Sequence, residues 1–120
     1  MRMKLRGTIT EQSYRRELLA TKYHLFHDIS MLRFLEIIRE NFPAMKAAHT
    51  LYWTPEQGED IITFLVDNHS IIIIELDRYD NEIAPIVDVY PIENFIQGYS
   101  KTNQIKIAVA LDLAKNDMGN

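Results

Sequence analysis

The chain contains no cysteine, which excludes disulfides, thiolate metal sites and thiol nucleophiles and is compatible with a reducing compartment. Glycine is scarce. Its four residues include no glycine-rich phosphate loop, and no serine or threonine sits in a nucleophile elbow, so neither nucleotide nor nucleophilic chemistry is expected. Long apolar runs are missing too. The purest, Ile71 to Ile74, is followed at once by Glu75 and falls far short of the roughly 18 residues of a membrane span. The start, Met1-Arg2-Met3-Lys4-Leu5-Arg6-Gly7, is basic but lacks an apolar stretch and a small-residue cleavage site behind it. It does not read as a secretory signal, and a cytoplasmic protein is expected.

What is present suits an ordinary globular protein. A length of 120 residues, 47% of them apolar and 25% charged, predicts one domain over residues 1–120 with a single core. From Glu11 to Phe42 apolar residues recur at helical spacing, with Tyr14, Leu18 and Leu25 in one row and Met31, Phe34, Leu35, Ile38 and Phe42 in another. Two amphipathic helices follow from this. Asp28 or Ser30 suits the N-cap of the second, and Pro43 stops it because proline cannot continue the hydrogen-bond ladder.

Beyond Ala48 the helical period is lost. Strand-like segments at 49–53, 61–66, 71–76 and 83–90 are separated by polar turn clusters at 55–58, 67–70 and 78–82, which predicts a four-strand antiparallel meander. Pro85 places the last strand at an edge, or starts it after the proline. Thr54-Pro55-Glu56-Gln57 also resembles a helix start, with Thr as cap and Pro in the first turn, although Gly58 weakens that alternative. Pro91 to Ile96 reads as a short helix stopped by Gly98. In the tail, Ile105, Ile107, Val109, Leu111 and Leu113 alternate with Lys106, Ala108, Ala110 and Asp112, which reads as a strand, with a helix as the alternative given its Ala, Leu and Lys content. The fold class expected is α+β. Four consecutive isoleucines bury both faces of their strand, so each face needs a cover, either the chain's own helices or a second copy in a homodimer.

Candidate chemistry is sparse. His24, His27 and Asp28 fall at i, i+3 and i+4 on a predicted helix, as metal ligands do, but they lack the His-Glu-x-x-His pattern and a further ligand, so a solvated pair is the simpler reading. Glu75-Leu76-Asp77 has the acidic positions of a metal-dependent nuclease motif but carries Asp77 where that motif needs lysine. Tyr52 and Trp53 are of a type that stacks on ligands, though aromatic residues in strands usually serve the core. No cofactor and no enzymatic activity are expected.

Charge is the feature that stands out. Residues 1–54 carry nine Lys/Arg against five Asp/Glu, whereas residues 55–93 carry ten acids and only Arg78, a net charge of −9. Such a field repels nucleic acid and attracts a basic partner. Glu56, Glu59, Asp60, Glu75, Asp77, Asp80, Glu82 and Asp88 are the expected partner-binding residues, concentrated along the rims of the sheet. In size, acidity and lack of catalytic motifs the chain resembles the small bacterial immunity proteins that block a basic nuclease toxin, a likeness of class that rests on no shared motif. It implies an inhibitory protein-binding module. A nucleic-acid mimic aimed at another basic enzyme has the same profile. The other classes to weigh are a small metal-dependent enzyme using the His24/His27 helix and a structural or regulatory homodimer.

Overall fold

A computed structural model describes residues 5–95 and 101–119. The elements are α1 (Ile9–His27), a 3-10 turn (Ile29–Met31), α2 (Leu32–Asn41), β1 (Ala48–Glu56), β2 (Glu59–Val66), β3 (Ser70–Asp77), β4 (Ile86–Pro91), α3 (Ile92–Phe95) and α4 (Lys101–Asp117). The strands form one antiparallel sheet in the order β1-β2-β3-β4. The chain is therefore α+β, with N-terminal helices, a meander and a short helix after it, and β4 begins after Pro85 at the sheet edge.

Local chemistry sets the element ends. Thr8 caps α1 by accepting from the Glu11 amide, so the helix starts at Ile9, two residues before the expected start. The Glu11 carboxylate turns back and accepts from the amides of Arg6 and Gly7, a variant of the capping box. Burial works against its charge, but the amides of Gly7 and Arg6, the Thr8 hydroxyl and the Arg15 guanidinium outweigh that and hold its pKa below the ordinary value. Asp28 caps the 3-10 turn by accepting from the Ser30 amide. β1 continues through Pro55 to Glu56, so the helix-start alternative at Thr54 is not adopted. Gly58, at φ +82°, closes a hairpin between the paired Glu56 and Glu59. The short helix expected from Pro91 is α3; its expected stop at Gly98 lies outside the described residues.

The core lies on both faces of the sheet. On one, Phe34, Leu35 and Ile38 of α2 and Met31 pack against Phe64, Ile72 and Ile74, with the rings of Phe34 and Phe64 5.9 Å apart. On the other, Ile107, Val109, Ala110 and Leu113 of α4 pack against Leu51, Leu65 and Ile71. Helix α1 spans the two, contributing Leu25 to the first cluster and Leu18 to the second. The isoleucine strand is thus covered on both faces by the chain's own helices, and the ground for expecting a second copy falls away. Among the described residues, Ile86, Val89 and Tyr90 of the edge strand β4 are exposed.

The tail is a helix rather than the strand that its alternation suggested. The alanines decide it. Ile107 to Ala110 are four consecutive buried residues because α4 lies between the sheet and α1, and Ala108 and Ala110 let it approach closely. Its charges reach α1: Asp112 pairs with Arg15 at 2.9 Å, Asp117 with Lys22 at 2.8 Å and Lys106 with Glu17 at 3.4 Å.

Asp67 belongs to this framework. It occupies the β2–β3 turn at φ +51°, which aspartate tolerates better than most residues, and its Oδ1 accepts from the amides of Lys46 at 2.8 Å and Ala47 at 2.9 Å. Its own amide donates to the Ala47 carbonyl at 2.7 Å. Asp67→Ala strands the buried Ala47 amide and is expected to cost roughly 2–3 kcal/mol in urea unfolding. Asp67→Asn, which keeps an acceptor and the turn preference, should cost less than half of that.

Candidate functional site

The antiparallel register decides which acids meet. Glu56 pairs with Glu59, Glu59 with Asp77, Ile61 with Glu75, Glu75 with Ile86 and Ile73 with Asp88. Side chains alternate across a strand. Glu56, Glu59, Glu75, Asp77 and Asp88 therefore share the sheet face on which α4 packs, at the end away from the α4 contacts, which involve Leu51, Leu65 and Ile71. Glu59, Ile61 and Glu75 are half-buried there, and Ile86 is exposed beside them.

Proximity perturbs the cluster. Glu75 has its pKa raised above the ordinary carboxylate value, first through a hydrogen bond with the Glu59 carboxyl, then through partial burial and the repulsion of Glu59, Glu56 and Asp88. Each of the four strands supplies at least one of these carboxylates. The remaining expected residues do other work. Asp60 lies on the opposite face, where it is paired with Arg78 at 2.9 Å and accepts from the Trp53 indole N–H. Asp77 caps the turn after β3 through Oδ1, accepting from the amides of Tyr79 and Asp80 at 2.9 and 2.8 Å, and Asp80 accepts from the Glu82 amide. Glu82 is exposed on that same turn. Arg78 also donates to the carbonyls of Glu56 and Glu59, which fastens the β1–β2 hairpin to the end of β3.

Of the eight expected acids, Glu56, Glu59, Glu75, Asp77 and Asp88 thus share one sheet face, while Asp60 lies on the other and Asp80 and Glu82 lie on the turn after β3. No family model, curated protein or solved structure matches this chain. Its site is read from its own chemistry alone. The helical histidines do not converge on a common point: His24 Nδ1 pairs with Asp28 at 3.0 Å, while the His27 ring lies 4.2 Å from that of Tyr23. Among the described residues no three His, Asp or Glu side chains form a group that could hold a metal ion, and no helix is long and apolar enough to cross a membrane.

His49, fully buried on β1, meets Asp117 of α4 through Nε2 at 3.0 Å, and Lys22 of α1 pairs with the same carboxylate. Burial lowers the imidazole pKa below 6.5, aided by Lys22, against the opposing pull of Asp117. A neutral ring donating from Nε2 suits this setting and leaves Nδ1 a buried acceptor without a partner. Nothing about a lone His49 in a strand signals a partner 68 residues away.

Two opposite pH dependences follow. The unfolded chain takes up the His49 proton before the folded one, so this contribution to stability is lost as pH falls through about 6.5. Glu75, with a raised folded pKa, binds its proton more tightly when folded, so its ionisation costs stability as pH rises above about 4.5. Glu75→Gln is expected to raise the thermal midpoint at neutral pH and to leave it unchanged where the carboxyl is already protonated. In that variant, urea midpoints measured from about pH 7.5 to about pH 5.5 should fall, isolating His49.

Proposed function

We propose that this chain is an acidic protein-binding module of inhibitory type, which docks a basic protein on the uncovered half of the α4-side sheet face. The observation that carries the reading is the strand register, which gathers Glu56, Glu59, Glu75 and Asp88 from four strands on one sheet face. Four strands hold like charges close enough to oppose one another, an arrangement that folding alone disfavours and that a basic partner would relieve. Ile61 and Ile86 add apolar contact among the carboxylates, as interface centres do. Glu56, Glu59, Glu75 and Asp88 form the proposed binding set; Asp77, Asp80, Glu82 and Asp60 serve mainly as turn caps, a rim and an ion pair. A partner with a cationic, phosphate-binding cleft, such as a nuclease toxin or another nucleic-acid enzyme, has the complementary charge.

The reading is tested by comparative affinity capture from the native host, using wild type and Glu59→Lys/Glu75→Lys as baits at low and high salt. A basic protein held by wild type at low salt, released by salt and not held by the variant supports it. Capture of the same proteins by both baits contradicts it.

A further inference from the structure

The opposite face of the sheet carries a second feature, independent of the acidic patch. A cavity of about 420 Å³ lies where the end of α1, the 3-10 turn and the start of α2 arch over the β1–β2 corner. Met31, Phe34, Ile62 and Trp53 supply its apolar walls, with Thr21 and Thr50 between them. That volume falls within the range of small-molecule sites.

Its position follows from a bulge. Thr50 pairs with Phe64 but Tyr52 pairs with Thr63, so Leu51 is the extra residue, and the alternation of β1 flips beyond it. Without the bulge Trp53 would point to the α4 side. With it, Trp53 lies beside Ile62 on the cavity face. It is 62% exposed there, so the core role expected of a strand aromatic is not the one it takes.

The electrostatics narrow the ligand. Asp60 at the rim is matched by Arg78 and by the Trp53 indole, and His24 by Asp28, so each charged group at the mouth already has a partner. The Thr50 hydroxyl oxygen is shielded from solvent, so this residue offers the cavity its methyl rather than a hydrogen-bonding group. We propose that this cavity binds an uncharged, flat aromatic small molecule that stacks on Trp53 and lies against Met31 and Phe34.

The single tryptophan of the chain makes the test direct. The probe is N-phenyl-1-naphthylamine, an uncharged aromatic amine whose emission rises in apolar surroundings and which quenches tryptophan emission at short range. Saturable binding of one probe per chain, with matching loss of Trp53 emission, is expected. Thr21→Leu, which fills part of the cavity from α1, should weaken it by roughly fivefold. Thr21→Phe, which fills the cavity from α1, should weaken it by at least about tenfold, provided circular dichroism shows the fold intact. The proposal is overturned by an absence of saturable binding up to the solubility of the probe. It is equally overturned by probe emission that rises without quenching of Trp53, or by unchanged affinity in any folded variant.

Discussion

Ile74→Ala is expected to lower the unfolding free energy by roughly 2–5 kcal/mol, the largest loss from any single change considered, because the site cannot collapse around the void. Ile74 is fully buried and pairs with Ile62 on β2 and Val87 on β4, beneath the α2 cluster. Ile86→Ala, a similar truncation on the exposed edge strand, should change stability by no more than about 0.5 kcal/mol. Urea titrations of both variants check this, with the midpoint moving and the slope constant if the folded and unfolded states are otherwise unaltered. A loss below about 1 kcal/mol for Ile74→Ala would mean that the two-sided core is not built around β3.

The sheet was legible because its signals were local. Four isoleucines bounded by polar clusters, a proline just before the last strand and a glycine in the first hairpin each act within a few residues, and Phe34, Leu35, Leu65, Ile72 and Ile74 are all buried. In the tail, which reads as a strand with a helix as the alternative, the helix prevails for a physical reason. Residues 105–113 satisfy a period of two, but buried alanines count as apolar on a helix face, and no local feature shows that α1 lies alongside to receive Asp112 and Asp117. The Thr8-x-x-Glu11 capping signal was in the sequence and marks the true start of α1.

The acidic patch was half legible. Counting charge located the segment, but register alone decides that Glu59 and Glu75 meet while Asp60, one residue from Glu59, turns to the other face. A one-residue shift in pairing would exchange them. The turn acids looked interchangeable with the strand acids in sequence, yet Asp77 is fixed by two amide hydrogen bonds. Charge reversal there tests the turn as much as the surface.

The second large effect is on association. Charges screened over about 8 Å at physiological ionic strength act chiefly on encounter, so their removal should appear in the on-rate. Asp28→Lys, on the helical side, is expected to change it little. Stopped-flow association of the captured basic partner with wild type and with Glu59→Lys/Glu75→Lys, each at low and at high salt, measures the central claim directly. Wild type is expected to associate fast at low salt and to slow steeply as salt is added, with an on-rate lower by roughly ten- to a hundredfold for the variant and a flat salt dependence. Equal rates for the two proteins, unmoved by salt, would contradict it and reduce the acidic face to a solubilising surface.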